Sequence, residues 1–144
     1  MDRNWFTAES EYQGSPILFR RPNISLNEFE QLSAVFPFLL IITHDFARIR
    51  HDGLPEQNYN DSLIFLDEYI TSCFKSEQSG IVFLIETFSG RRTYYIYVGN
   101  TEYGESVAKS IVDTFPSESL AWKIESDKKW RLAHGYAKDF HFFD

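Results

Sequence analysis

The stretch IVFLIETFSGRRTYYIYV, Ile81 to Val98, holds two β-rich runs that meet at Ser89-Gly90. Branched and aromatic residues suit a pleated surface, and a two-residue loop containing Gly accepts the positive φ of a tight hairpin turn. The pairing this predicts sets Thr87 opposite Arg92, Ile85 opposite Tyr94, Phe83 opposite Ile96 and Ile81 opposite Val98. Those side chains share one face, and the other carries Val82, Leu84, Tyr95 and Tyr97, with Glu86, Arg91 and Thr93 nearer the turn. A surface so apolar does not stay in water. The N-terminal hairpin, through Trp5, Ile17 and Phe19, is one candidate cover and a twofold partner the other; because Glu9 and Glu11 make the hairpin a poor lid, a homodimer is expected.

On either side of this hairpin the pattern becomes helical. After Asp52-Gly53-Leu54-Pro55, the residues Leu63, Leu66, Ile70, Cys73 and Phe74 recur at three- and four-residue steps, which predicts an amphipathic helix ending before Gly80. Downstream, Thr101 stands as a cap before the stripe Val107, Ala108, Ile111, Val112 and Phe115, closed by Pro116. Val35 to Phe46 is apolar at both parities and predicts a central strand, whereas Leu120, Trp122 and Ile124 alternate with Ala121, Lys123 and Glu125 as in a strand with one wet face.

The order strand, helix, strand, strand, helix, strand is that of an α+β, ferredoxin-like split βαβ (βαββαβ), an antiparallel sheet with its helices on one face. Leu63, Leu66, Ile70, Phe83, Ile85 and Ile96 are predicted to share its core. Trp5 to Tyr12 and Ile17 to Arg21 flank the turn residues Gln13-Gly14-Ser15-Pro16 and form a further hairpin. Ser25 and Glu28 have capping-box spacing ahead of Phe29 and Leu32, and Asp127 looks like a helix start from which Trp130 folds back to the core. The 144 residues thus read as one domain: a hairpin extension at 1–22, a core at 34–126 and a tail at 127–144.

Apolar residues at 43 % and aromatics at 17 % supply a core large enough that disorder is excluded. The formal charge of −7 opposes general affinity for phosphate backbones and favours basic partners, so nucleic acid is not an expected ligand. Cys73 stands alone, the start Met1-Asp2-Arg3-Asn4 lacks a secretory pattern, and the apolar run Ala34 to Ile42 is too short to cross a bilayer. A cytoplasmic location without membrane contact is the expectation.

Chemistry-bearing motifs are few. The chain has no nucleophile elbow, Walker loop or glycine fingerprint after a strand, and no cofactor is expected. His44-Asp45 and His51-Asp52 invite a metal reading, but neighbours on a strand point to opposite faces and no second histidine has ligand spacing, so no metal site is expected. Cys73 lies on an apolar stripe with Asp67 and Glu68 nearby, where nothing lowers a thiol pKa. The run Arg91 to Tyr97 is similar in placement to the base-stacking strand of RNA-recognition domains, although Glu86 stands opposite Thr93 on the face that would meet phosphates.

Taken in order, Asn4-Trp5, Gly14-Ser15-Pro16-Ile17, the apolar strand from Pro37 to Ile42, Gly53-Leu54-Pro55, Leu66-Asp67, Gly90-Arg91-Arg92-Thr93-Tyr94-Tyr95 and Asp127 to Trp130 resemble a bacterial family known as domain of unknown function six-nine-five. The resemblance spans nearly the whole chain and implies no agreed activity. At the level of fold it extends to the family of the regulator of ribonuclease E activity B, whose acidic members bind and inhibit a nuclease. The glutamate pair usual after the glycine-proline turn is reduced here to Glu56-Gln57.

These readings favour a non-enzymatic protein-binding or regulatory module for a basic partner such as a nuclease. Its contact residues would be Tyr95, Tyr97, Arg91, Trp130 and Asp127. The alternative is a small hydrolase or ligand-binding enzyme with a pocket of Asp45, His51, Asp52 and Glu56 in the loop from His44 to Pro55, and RNA binding stands third.

Overall fold

Strands β1 (Trp5–Tyr12) and β2 (Ser15–Pro22) open the chain, closed by Gln13 and Gly14 at φ of 51° and 84°. Two positive φ values in a two-residue loop match the right-handed twist of the strands. The computed structural model describes residues 3–143. Helix α1 (Leu26–Val35) begins at the expected capping box: Ser25 Oγ accepts from the Glu28 amide, and the Glu28 carboxylate accepts from the Ser25 amide. Pro37 ends that segment, so β3 (Phe38–Asp45) starts later than the apolar run suggests and Val35 is exposed.

The helix predicted around Leu66 is broken in two, α2 (Gln57–Ser62) and α3 (Ile64–Ser72), with buried Leu63 at the joint. Next come β4 (Gly80–Phe88), β5 (Arg91–Val98), α4 (Thr101–Thr114), β6 (Ser119–Ser126) and α5 (Arg131–Asp139). Asn100, not Thr101, caps α4 through its side chain.

The fold is α+β. The six strands of the described residues join one antiparallel sheet in the order β1-β2-β4-β5-β3-β6, which leaves β1 and β6 at the edges.

Pairing of β4 with β5 follows the predicted register from the turn to Ile85–Tyr94, then shifts between Val82 and Leu84. Val82 faces Ile96 and Ile81 faces Tyr97, so Phe83 is the extra residue of a bulge. The slip turns Phe83 to the same side as Leu84. There it meets Phe29 and Trp130 at ring distances of 5.7 and 5.9 Å, and Val82 takes its place on the opposite side. The predicted single core is thereby corrected: Leu66, Ile70, Ile85 and Ile96 belong together with Val82, and Phe83 belongs to the other layer.

Helices cover both faces rather than one. Leu66 and Ile70 of α3 and Ala108 and Ile111 of α4 bury Leu40, Ile42, Tyr94 and Ile96. On the other face, Phe29 of α1, Trp130 and Ala133 of α5 bury Leu39, Ile41, Leu84 and Tyr97, together with Ile17 and Phe19 of β2. The C-terminal segment is therefore a structural layer and not a tail, and the surface expected to need a hairpin or a partner is closed by the chain's own α1 and α5. Among the described residues, no helix is long and apolar enough to cross a membrane.

Candidate functional site

Tyr97 and Trp130, two of the expected contact residues, are both 0 % exposed. Their rings stack at 4.0 Å, and Trp130 Nε1 donates to the Phe36 carbonyl at 2.7 Å. The Tyr97 hydroxyl donates to Asp127 Oδ2 at 2.9 Å and accepts from the Ala133 amide at 3.2 Å. Asp127 also accepts from the Arg131 and Leu132 amides, satisfying donors that the first turn of a helix leaves free. The Asp-x-x-Trp motif is thus a clasp that fastens α5 across the sheet. Half-buried Tyr95 lies 3.2 Å from the Tyr136 hydroxyl, which donates to Glu86 at 2.6 Å. Only Arg91 among the five is exposed, and it pairs with Asp45 at 2.6 Å.

The alternative pocket in the loop after His44 does not assemble. Gly53 lies against the Ser89-Gly90 turn, where a Cβ would come 2.8 Å from Ser89 Cα, and its carbonyl accepts from the Gly90 amide at 2.7 Å. This close approach accounts for glycine at position 53, and the positive φ of 84° accounts for glycine at position 90. Asp52 is engaged with Arg50 and the Leu54 amide, Asp45 with Arg91, and His51 and Glu56 project into solvent. None of the four lines the cleft between the N-terminal hairpin and α2–α3, or the cavities beside Arg3 and beside Arg21. Among the described residues, no three His, Cys, Asp or Glu side chains gather as a metal site. Burial pushes the Cys73 thiol up, and its S–H donates to the Tyr69 carbonyl.

What the fold does assemble is a polar band between the sheet and α2–α3. Arg20 of β2 holds Asp67 of α3 through both carboxylate oxygens, and the Tyr94 hydroxyl donates to the same carboxylate at 2.8 Å. Burial pushes the Asp67 carboxyl up, but the Arg20 hydrogen bonds and charge outweigh it and hold it below the usual range. Arg92 Nε donates to Thr87 Oγ1 at 2.9 Å and Arg92 Nη2 to Asn60 Oδ1 at 3.2 Å.

Beyond Phe46, whose ring lies beneath Arg92, His44 Nε2 sits 2.8 Å from Glu118 Oε1, which also accepts from the Tyr59 hydroxyl at 2.6 Å. Burial pushes the His44 imidazole down, with Glu118 opposing, and burial pushes the Tyr59 hydroxyl up to about 12. His44 Nδ1 is buried without a hydrogen-bond partner among the described residues.

A cavity of about 640 Å³ opens along this band, lined by β1, β2, α2 and α3 together with Ile85, Thr87 and Arg92. Sequence reading missed it. One signal was present: Leu63, Leu66, Asp67 and Ile70 stand at i, i+3, i+4 and i+7, which puts a carboxylate on the buried stripe and calls for a cation opposite.

A comparison with curated proteins gives no match. The model of a protein family described as a family of unknown function, DUF695, matches residues 3–136. That span runs from ahead of β1 into α5 and takes in the hairpins, the polar band and the Asp127–Trp130 clasp; the chain belongs to the family of unknown function DUF695.

Proposed function

We propose that this protein is a non-enzymatic binding module that takes an extended basic segment of another protein onto the outer edge of β1. Its scaffold is a ferredoxin-like unit of β3, β4, β5 and β6, and the β1–β2 hairpin widens that unit beside β4. What supports the scaffold reading is the run β4-β5-β3-β6 within the sheet and the packing of α3 and α4 on a common face.

The observation that carries the functional reading is the state of β1. All eight of its residues pair with β2 in one unbroken register, seven of the eight are exposed, and no bulge, proline or lysine interrupts it. Exposed edges are ordinarily blunted by such devices. The other edge, β6, carries Lys123 paired with Glu125. The Asn4 carbonyl accepts from the Asn23 amide, so even-numbered positions of β1 bond to β2 while Trp5, Thr7, Glu9 and Glu11 turn their backbone groups outward.

Trp5, Phe6 and Tyr12 stand 40, 45 and 56 % exposed along the same strand. Strand addition draws affinity from such backbone groups and specificity from flanking side chains. Glu9 and Glu11, with the net charge of −7, select a basic occupant, and a second copy of β1 would set these carboxylates against their own kind.

The test is titration with an eight-residue peptide of alternating lysine and valine, followed by fluorescence of Trp5. Thr7→Pro removes an outward donor without breaking the ladder to β2 and should weaken binding at least about tenfold. Glu9→Lys with Glu11→Lys should transfer the preference to a peptide of the same length in which glutamate replaces lysine. Absence of binding, or equal affinity for wild type and Thr7→Pro, would remove the edge reading.

A further inference from the structure

Arg92 is oriented within the cleft without being neutralised. Two of its five N–H groups are taken by Thr87 and Asn60, its charge lies 5.3 Å above the Phe46 ring, and the remaining three N–H groups have no acceptor among the described residues. No carboxylate of the described residues comes within ion-pair distance of it. Its neighbours differ: Arg20 is held by Asp67 and Arg91 by Asp45. The Asn60 amide, which lines the same cleft, uses its oxygen on Arg92 and so keeps its nitrogen as a further donor. A half-buried guanidinium fixed by polar neighbours and left with free donors is a fork awaiting a planar oxyanion.

The lining decides which anion. Arg20 and Asp67 neutralise one another, which leaves Arg92 facing the carboxylates of Glu9 and Asp61; their repulsion is twice as large for a phosphate dianion as for a singly charged group that Arg92 can pair. Leu18, Leu63, Ile64 and Ile85 make up its apolar walls. The volume of about 640 Å³ lies within the range of small-molecule sites.

We infer that the cleft is a binding site for an organic monocarboxylate, whose carboxylate is gripped by Arg92 and Asn60 and whose hydrocarbon body lies against Leu63 and Ile85. This goes beyond the edge reading and does not depend on it, since the edge uses outward backbone groups and the cleft uses side chains beneath the hairpin. The carboxylate belongs either to a free acid or to the end of a peptide chain.

The test uses the full chain, labelled with nitrogen-15 and titrated with hexanoate, with hexanol, and with a short acetylated peptide ending in leucine as free acid and as amide. The Arg92 Nε–H and Asn60 side-chain amide signals should move with a carboxylate and not with hexanol or the peptide amide. Asn60→Asp sets a carboxylate where the Asn60 oxygen now contacts Arg92, and should lower carboxylate affinity at least about tenfold while keeping the fold; Arg92→Met should do the same. Hexanoate binding identifies a free acid, and binding of the peptide acid alone identifies a chain terminus; both support the site. Hexanol shifting the signals as hexanoate does, no response to either carboxylate, or unchanged affinity in Asn60→Asp would overturn it.

Discussion

Replacing Asp127 by Ala tests the clasp that closes the second face of the sheet. The carboxylate accepts from the Arg131 and Leu132 amides and from the Tyr97 hydroxyl. Loss of the first two resembles loss of a helix cap, about 0.5–2 kcal/mol. Loss of the third strands a hydroxyl on a side chain that is 0 % exposed, at about 1–3 kcal/mol. The expected total is about 1.5–5 kcal/mol, a large fraction of the stability of a domain this size. Urea unfolding followed by tryptophan fluorescence reads it directly, because Trp130 is stacked on Tyr97. The double variant with Tyr97→Phe separates the parts: once the hydroxyl is gone, Asp127→Ala should cost only its cap, so the two substitutions should couple by about 1–2 kcal/mol. A loss below about 0.5 kcal/mol, or singles that simply add, would refute the clasp.

Leu66→Ala empties a buried position between α3 and the sheet and should cost about 2–5 kcal/mol in urea unfolding; a loss below about 0.5 kcal/mol would sink the packing of α3 on that face. Burial holds the His44 imidazole below its ordinary value, so the unfolded chain binds the proton more readily than the folded one. Stability from this group is therefore present above a pH of about 6.5 and is lost as the pH falls below it. The fall in unfolding free energy between about pH 7 and 5.5 should be shallower in His44→Gln than in wild type, and identical slopes would remove His44 as its source.

Elements whose cause is local were legible in the chain. The Ser89-Gly90 and Gln13-Gly14 turns, the Ser25–Glu28 capping box and the stripe of α4 each need only neighbouring residues to form, and each stands where its residues predict. Both hairpins join one antiparallel α+β sheet. The site was not legible in the same way. Arg20, Asp67, Arg92, Thr87 and Asn60 come from β2, α3, β5, β4 and α2, and no spacing in sequence announces that they meet.

Composition and turn chemistry alone determined the number of strands in the hairpins, the helical stripes, the acidic charge and the need to cover Tyr95 and Tyr97, because these depend on properties each residue carries with it. Tertiary packing decided what did the covering. Phe83 crosses to the second face through a bulge and meets the rings of Phe29 and Trp130 there, and the Asp127 cap, a local feature, is fastened to the sheet by the Tyr97 hydroxyl. Asp67 is held by Arg20 while Arg92 has no carboxylate partner among the described residues, an arrangement that exists only when five distant segments are folded together.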